Sequence, residues 1–390
     1  MPPALQQDRQ SADADGRAGW RDPKRYLWPL ALLVPTLPFA ALGYFQLSGL
    51  ALFWWFGPIF AFLIAPALDL TFGKDARNPP GDALEYLDDD RYYRWCVYLY
   101  LPLQAAGLVF ACRLWSGGGL SWVDSLGLAL TVGVVGGVAI NTAHELGHKS
   151  DRRERWLSKI ALAQTGYGHF FVEHNRGHHV RVATPADPAS ARLGESFWAF
   201  LPRTVVGSLA SAWGLERERL RRKGASVWSF ENDILNAWAM TLVLFVALSA
   251  VFGLSVLPWL LVQAAFGVSL LEAVNYVEHY GLSRQKRADG RYEPCAPRHS
   301  WNSNSLASNL LLYHLQRHSD HHANPMRRYQ GLRSYEEAPE LPAGYGAMIA
   351  LAYLWPLWRA VMDRRVLAHY GGDASLANVQ PSKRRDYGLA

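Results

Sequence analysis

The stretch LSWVDSLGLALTVGVVGGVAINTAHELGH, residues 120–148, joins the two features that decide the fold of this 390-residue chain. Its first part, residues 120–142, is an apolar run long enough to cross a bilayer as one helix. Its second part places His144 and His148 four residues apart, so both imidazoles share one helix face. Neutral imidazole is the commonest metal ligand in proteins, and the stretch therefore predicts a metal site at the end of a membrane span.

Further apolar runs on both sides predict an all-α integral membrane protein with six transmembrane helices. Besides residues 120–142, these runs are residues 27–47, 50–72, 95–115, 234–252 and 256–276. Two other apolar stretches, residues 197–215 and 345–362, are amphipathic or interrupted by proline, and we expect them to lie along the membrane interface. A seventh and an eighth span are the alternative interpretation of these two stretches.

The distribution of charge predicts which side of the membrane each loop faces. The short connections near Ser48, Gly118 and Gly253 carry no Lys or Arg, whereas the N-terminus, residues 73–94, residues 149–233 and the chain after His279 are charged. Under the positive-inside rule the charged segments and both termini are cytoplasmic. The formal net charge of +6 then indicates a membrane partner, and we expect no nucleic acid partner.

We expect one folded domain, residues 26–370, with a flexible tail at each end. Residues 1–25 are polar and lack the apolar core of a signal peptide, so they predict a disordered tail. Residues 371–390 predict a second flexible tail. The three cysteines, Cys96, Cys112 and Cys295, include no C-x-x-C pair and exclude an internal four-cysteine metal site.

Nine of the thirteen histidines form three clusters and one isolated position, all beside apolar segments. The clusters read HELGH (144–148), HNRGHH (174–179) and HSDHH (318–322), and His279 lies alone in NYVEHYG (275–281). On a helix, spacings of three or four residues let a cluster aim several imidazoles at one point. HELGH and NYVEHYG lie at the cytoplasmic ends of two predicted spans. We therefore expect all nine imidazoles to meet in a histidine-rich helical cap on the cytoplasmic side.

Nine ligands are too many for one metal ion, and the count therefore predicts two. The predicted ligands are His144, His148, His174, His178, His179, His279, His318, His321 and His322. A ligand imidazole usually donates its second ring N–H to a carboxylate or carbonyl. Candidates for this supporting layer are Glu145, His169, Glu173, Asp187, Glu278 and Asp320, and for each carboxylate an ion pair unrelated to the metals is the alternative.

The spacing does not identify the metal, because imidazole suits Zn, Cu, Fe and Ni alike. HELGH also matches the H-E-x-x-H pattern of zinc proteases, in which Glu145 would be the general base. That hypothesis leaves the other histidine clusters without a role. Two clustered metals with neutral ligands favour redox or oxygen chemistry, and the bundle suggests an apolar substrate that arrives from the bilayer.

The histidine clusters and their flanks resemble those of the membrane-bound alkane 1-monooxygenases, the integral-membrane alkane hydroxylases of bacteria. The matching stretches are NTAHELGHK (141–149), GYGHFFVEHNRGHH (166–179), NYVEHYG (275–281) and LQRHSDHH (315–322), together with ATPADP (183–188) and WSFEN (228–232). The similarity covers about residues 26–373. NYVEHYG distinguishes this family from the wider group of acyl desaturases and hydroxylases that share the other clusters.

The resemblance implies terminal hydroxylation of n-alkanes to 1-alkanols at a non-haem di-iron centre held by the nine histidines. It implies O2 as co-substrate, electrons from reduced rubredoxin and its NADH-dependent reductase, and a location in the bacterial inner membrane. Three cysteines are too few for a fused rubredoxin, so we expect a separate donor protein. A fatty-acyl or aromatic-methyl hydroxylase or desaturase of the same group is the alternative.

An alkane offers no polar group, so selectivity must come from the shape of an apolar channel. The resemblance places Ala61 where relatives restricted to shorter chains carry a bulky aromatic residue, which predicts that medium-to-long alkanes are accepted. Trp55 and Ala65 are further channel candidates, and simple helix packing is the alternative role for Ala61. An acidic rubredoxin would dock on a basic cytoplasmic face. The candidate docking residues are Arg217, Arg219, Arg221, Arg222, Arg327 and Arg328. The alternative is that these arginines only satisfy the positive-inside rule and contact anionic headgroups.

Overall fold

The computed structural model describes residues 20–389; most of the predicted N-terminal tail therefore lies outside the described residues. Within residues 20–389 the regular secondary structure is helical, with isolated bridges and no β-strand. Six helices are long and apolar enough to cross a membrane, and we number them as spans 1 to 6: Arg25–Ser48, Ala51–Phe72, Arg91–Ser116, Trp122–Gly147, Asp233–Phe252 and Leu254–His279. They match the six predicted runs to within a few residues, and the six-span architecture is confirmed.

Several spans change helix type along their length, partly because prolines interrupt them. Span 1 is a 3₁₀-helix over Arg25–Thr36 and an α-helix over Leu37–Ser48, and span 3 divides into Arg91–Tyr98 and Tyr100–Ser116. Span 6 begins with a 3₁₀ turn, Leu254–Val256, before the α-helix Leu257–His279. Span 2 changes most, through the segments Ala51–Trp55, Phe56–Ile59, the π-helical turn Phe60–Ile64, and Ala65–Phe72.

Span 4 supplies hydrogen bonds to the backbone of span 2 where Pro58 interrupts its helix. A proline at this position leaves the carbonyl of Trp54, four residues earlier, without its helical donor. The Thr131 hydroxyl of span 4 donates to that carbonyl at 2.8 Å and accepts the Gly57 N–H at 2.9 Å. This is the exchange that lets a membrane bundle tolerate proline, because no water is present to satisfy the freed group.

Span 4 lies at the centre of the bundle, close against span 6. Of its apolar window 67% is buried, against 17% for spans 2 and 5. Glycines permit the close approach: a Cβ on Gly133 would lie 2.9 Å from the Gln263 carbonyl, and a Cβ on Gly267 would lie 3.1 Å from the Gly133 carbonyl. The ends of spans 4 and 6, which carry His144 and His279, are therefore held side by side.

The segments between spans 4 and 5 and after span 6 form what we call the cap. The longer cap helices are Arg152–Ala163, Phe197–Arg222, Tyr345–Tyr353 and Trp355–His369, and shorter ones include Phe170–Glu173, His179–Arg181, Leu306–Leu311 and His318–Ala323. A short helix, Ala83–Asp89, precedes span 3. The apolar stretches 197–215 and 345–362 lie in cap helices that are not among the six candidate spans.

The last described residues, from the stretch predicted to be a flexible tail, are hydrogen-bonded to the cap. The Asn378 N–H donates to the Gly281 carbonyl at 3.0 Å, and the Leu193 N–H donates to the Asn378 carbonyl at 2.7 Å. The Tyr387 hydroxyl donates to Asp363 at 2.7 Å. These bonds tie the segment to the loop that follows His279, to Leu193 and to the helix Trp355–His369.

Candidate metal centre

The nine predicted ligand histidines lie together in two groups, and within each group the nitrogen atoms are within 4.8 Å of one another. We call them the five-histidine group and the four-histidine group. The five-histidine group contains His144, His148, His174, His179 and His321, and the four-histidine group contains His178, His279, His318 and His322. Two of the three sequence clusters are thus divided between the groups.

The second cluster divides because its backbone forms a π-helical turn, His174–His178. An α-helix aligns residues four apart, whereas the wider π turn aligns residues five apart. The Nε2 atoms of His174 and His179 accordingly lie 3.1 Å apart, and His178 faces the other group. Gly177 permits this turn, because a Cβ there would lie 2.5 Å from the Glu173 carboxylate.

The third cluster divides on an ordinary α-helix, His318–Ala323. His318 and His322 share a face, with Nε2 atoms 2.8 Å apart, and His279 at the end of span 6 lies 3.2 Å from His318. His321 faces the opposite way, and its Nε2 lies 2.7 Å from that of His144 and 3.0 Å from that of His179. Helix 318–323 therefore contributes to both groups.

The donor spacing fits metal ions. Neighbouring Nε2 atoms lie 2.7 to 3.2 Å apart, near the roughly 3 Å expected between adjacent ligands on metal–nitrogen bonds of about 2.1 Å. Buried Nε2 of His148 has no hydrogen-bond partner among the described atoms. Burial holds the pKa of six ligand imidazoles below its ordinary value, so these imidazoles stay in the neutral, metal-binding form. The six are His148, His174, His179, His318, His321 and His322.

Asp187 occupies the position predicted for a supporting carboxylate. Its Oδ2 lies 2.9 Å from Nδ1 of His178, and because a carboxylate only accepts, the ring nitrogen is the donor. The Ser190 hydroxyl donates to the same oxygen at 2.6 Å. Burial alone would raise the pKa of Asp187, but His178 and Ser190 outweigh it and lower the pKa to about 2. Asp187 therefore fixes the ring so that Nε2 faces the four-histidine group.

Glu278 lies on the inner side of the same group. Its Oε2 is 3.1 Å from Nε2 of His318, the nitrogen that faces the other histidines, and its Oε1 accepts the Tyr345 hydroxyl at 2.7 Å. From the sequence, Glu278 was predicted to lie behind a ligand ring and accept its second N–H. The structure instead places this carboxylate beside the nitrogen donors.

Three other supporting candidates, Glu173, Asp320 and His169, form no side-chain hydrogen bond with a ligand histidine among residues 20–389. Glu173 pairs with Arg181 at 2.6 Å, and Asp320 accepts from Arg327 at 2.7 Å. The ring of His169 packs edge-on against that of Tyr167, with centroids 4.4 Å apart. Asp320 still stabilises the third cluster, since it also accepts the Arg333 N–H at 2.8 Å and so holds the chain that follows.

Glu145 does not occupy the position of a zinc-protease base. Its Oε1 pairs with Nζ of Lys149 at 3.1 Å. A catalytic zinc site has three protein ligands and an open fourth position, whereas His144 and His148 belong to a group of five. Neither the donor count nor the position of Glu145 fits the protease hypothesis.

Glu272, a fully buried carboxylate within span 6, was not among the residues predicted from the sequence. It accepts hydrogen bonds from Tyr167 at 2.6 Å, Thr204 at 2.9 Å and Asn275 at 3.2 Å. An acidic residue inside an apolar run could have identified it, because ionisable residues are costly in a membrane and usually have a functional role there. Here it joins span 6 to two cap segments beside the histidines.

An apolar cavity lies between spans 2, 4 and 6 and the cap. Two of the residues predicted to line a channel, Ala61 and Ala65, lie in its wall, and Ala61 belongs to the π-helical turn of span 2. Trp55 is not part of its lining and packs on Gly127, where a Cβ would lie 2.6 Å from the indole. The other lining residues include Val138, Asn141, Leu271, Val274, Leu311, Leu315, Tyr345 and Ile349.

Tyr345 connects this cavity to the histidines. Tyr345 lines the cavity and its hydroxyl donates to Glu278, which contacts His318. Asn141 also lines the cavity and lies one helical turn before His144 on span 4. The cavity is therefore linked to the four-histidine group through Tyr345 and Glu278.

The six arginines predicted to dock a donor protein differ in their exposure and in their ion pairs. Arg328 is buried and pairs with Glu154 at 2.9 Å, and Arg327 pairs with Asp320. Arg219 pairs with buried Glu216. The exposed members are Arg217, Arg221 and Arg222, of which the last two pair with Glu218 at 2.8 and 4.0 Å. A docking face could use only the exposed three without breaking buried ion pairs.

Comparison with known proteins identifies the family. The model of the fatty acid desaturase family matches residues 120–352, more than half of the chain. An alkane 1-monooxygenase of Acinetobacter baylyi is 48% identical over 366 residues, covering 93% of this chain and 90% of the relative. One from Pseudomonas putida is 45% identical over 384 residues, covering 97% and 94%.

A more distant relative is the hydroxylase component of a xylene/toluene monooxygenase of Pseudomonas putida. It is 27% identical over 268 residues, covering 69% of this chain and 66% of the relative. The alkane 1-monooxygenases are thus similar over more of the chain and at higher identity. With six spans and a histidine-rich centre, this chain is a membrane oxidoreductase and belongs to the alkane 1-monooxygenase family.

Proposed function

We propose that this protein hydroxylates n-alkanes at the terminal carbon and releases 1-alkanols. The observation that carries the proposal is the apolar cavity lined by Tyr345, whose hydroxyl donates to Glu278 beside His318 of the four-histidine group. The identity of 48% to an alkane 1-monooxygenase supports the same chemistry. The balanced reaction takes one alkane, one O2, two electrons and two protons, and yields one alcohol and one water.

The nine histidines would hold two iron ions, one in each group. The five-histidine ion would be bound by His144, His148, His174, His179 and His321, and the four-histidine ion by His178, His279, His318 and His322. Glu278 would complete the smaller set as an oxygen neighbour. When bound, such a pair of redox-active ions would supply the activation of O2.

The remaining residues would hold the substrate and exclude water. Because an alkane cannot form hydrogen bonds, the apolar walls would orient it by shape alone, with its terminal carbon toward Tyr345 and Asn141. Ala61 on span 2 would set how far the chain extends from the histidines. The hydrogen bond from Tyr345 to Glu278 and the contact of Glu278 with His318 would keep these polar groups from facing the bound alkane.

Reduced rubredoxin would supply the electrons from the cytoplasm, with the cap and both termini on that side of the bacterial inner membrane. The excess of Lys and Arg in the cap segments supports this orientation. Exposed Arg217, Arg221 and Arg222 would form the docking face. Reversing these three charges should weaken turnover at low salt, while reversal of exposed Arg287 and Arg291 should not. Equal turnover in both variants would contradict this docking face.

The decisive experiment combines metal analysis with reconstituted turnover. Purified protein should contain two irons and little zinc per chain, and with rubredoxin, its reductase and NADH it should convert octane or hexadecane to the 1-alkanol. Palmitate and xylene, offered in parallel, test the fatty-acyl and aromatic-methyl alternatives. A preference for either of them, or a single zinc per chain, would contradict the proposal. The matched His369→Ala variant, which alters a histidine outside both groups, should keep iron and activity.

A further inference from the structure

A basic recess lies beside the start of span 5, away from the apolar cavity described above. Helix Arg152–Ala163, the end of helix Phe197–Arg222 and the start of span 5 form its walls. Six cations line it: Arg152, Arg155, Lys159, Arg176, Arg219 and Lys223. The carboxylates in or against it are fewer, namely Glu231, Asp233 and Glu216. The recess therefore carries an excess of positive charge.

Four of the six cations of the recess form ion pairs with carboxylates, and two exposed ones, Arg152 and Arg155, do not among residues 20–389. Lys159 and Arg176 both bind Asp233, at 2.7 and 2.6 Å. Arg152 and Arg155 are exposed and form no ion pair with a carboxylate of residues 20–389; the Arg155 guanidinium lies 5.6 Å from the centre of the Phe171 ring. Two open guanidinium groups at one rim fit a phosphate, which arginine binds through paired N–H donors.

An apolar crevice continues from the recess along span 5. Leu235, Ala239, Met240 and Val243 form one wall, on a single face of the helix. The crevice and the recess share three lining residues: Trp156, Phe230 and Asn236. A cationic site thus passes directly into a hydrocarbon-lined groove on a membrane span.

Exposed aromatic residues mark this junction as a membrane interface. Phe230 is 98% exposed and Trp228 is 75% exposed, and both lie in the segment just before span 5 begins at Asp233. Such side chains are costly in water and favourable at the level of lipid headgroups. This position favours a lipid over a soluble acidic protein as the occupant.

We propose that the recess and crevice together bind one anionic phospholipid. Its phosphate pairs with Arg152 and Arg155, and one acyl chain lies along Leu235, Ala239 and Val243. The site is connected to the histidines, because Arg176 lines the recess and belongs to the turn His174–His178. Charge complementarity at the rim and the continuous apolar groove below it carry this assignment.

The test measures lipid binding to the purified full-length protein by native mass spectrometry. Phosphatidylglycerol and phosphatidylcholine are offered in equal amounts, and phosphatidylglycerol should be retained in preference. The double variant Arg152→Gln/Arg155→Gln should lower its retention by about tenfold, because each cation near a headgroup contributes to anionic lipid binding. The control Arg287→Gln/Arg291→Gln removes two exposed arginines elsewhere and should retain the lipid as the wild type does.

Two further arms separate the sources of the anion. Filling the crevice with Val243→Trp should lower retention, whereas Val251→Trp, at an exposed position of the same span outside the crevice, should not. Inorganic phosphate in millimolar excess should leave the lipid bound; displacement by phosphate would show a site for the free anion and overturn the proposal. Unchanged lipid retention in Arg152→Gln/Arg155→Gln would also overturn it, and a salt-sensitive loss of rubredoxin-driven turnover in that variant would assign the recess to an acidic protein.

Discussion

The Nε2 atoms of His144 and His321 lie 2.7 Å apart, although 177 residues separate them in the chain. His144 lies in the last turn of the central span and His321 lies on a six-residue cap helix, so the pair forms only when the cap is folded onto the bundle. His322, the next residue, faces the other group. The two groups are therefore adjacent but have separate ligands.

Separate ligands predict separate loss of metal. His279→Ala removes a donor from the four-histidine group and should lower iron from two to about one per chain, because three neutral ligands bind iron less tightly than four. His148→Ala should remove the other ion instead. Iron per chain by mass spectrometry, with melting of the helical circular dichroism as a check on folding, measures this.

The control for metal loss is His369→Ala, a histidine outside both groups, which should keep its full iron content. If His279→Ala lost all iron while its melting temperature stayed that of the wild type, the two groups would be acting as one site. That result would contradict the division of ligands.

The length of alkane accepted should depend on residue 61. Ala61 lines the apolar cavity, and Ala61→Trp would fill part of it, so the product profile should shift toward shorter alcohols. Gas chromatography of products from alkanes of increasing length measures the shift. Ala67→Trp, at an exposed position of the same span, is the matched control and should leave the profile unchanged. An identical profile for both variants would mean that Ala61 only packs between helices.

Glu216 should contribute stability that depends on pH. Burial would raise its pKa, but hydrogen bonds from Arg219 and the Asp233 N–H, with the charge of Arg176, outweigh burial and hold the pKa below its ordinary value. A lowered pKa in the folded state means that the stabilisation is present above the unfolded value, about 4.3, and is lost as pH falls through the folded value.

Glu216→Gln should therefore lower the free energy of unfolding by about 2 kcal/mol near pH 7, the scale of a hydrogen bond to a charged group. The difference from the wild type should shrink below about pH 4. Thermal melting in detergent across this pH range measures both. Glu218→Gln is the control, because Glu218 is half exposed in its ion pair and such pairs contribute little. Equal melting temperatures for Glu216→Gln and the wild type at pH 7 would contradict the argument.

Contact between spans 4 and 6 should depend on Gly133. A Cβ there would lie 2.9 Å from both the Gln263 carbonyl and the Phe266 ring, so Gly133→Ala should destabilise the bundle by about 1–3 kcal/mol. On span 1, a Cβ on Gly43 would meet nothing within 4 Å, and Gly43→Ala should have no such cost. Melting temperature and the amount of folded protein recovered distinguish the two variants; matching values would mean that the spans can move apart freely.

The spans were predictable because the property that makes them is local. A run such as residues 234–252 crosses a bilayer by its own length and hydropathy, whatever its neighbours are. Which residues support the histidines was less predictable. Asp187 reaches His178, whereas Glu145, adjacent to His144 in sequence, points to Lys149, because successive helical residues leave the axis in different directions.

The amino-acid sequence by itself determined the six spans, the nine histidines and the family to which the chain belongs. Only the tertiary structure decided how those histidines divide between two groups. That division depends on one π-helical turn, which aligns His174 with His179, and on a cap helix that turns His321 away from His322. Both are choices of backbone register and packing direction, which depend on the surrounding bundle and leave no mark in the spacing of the residues.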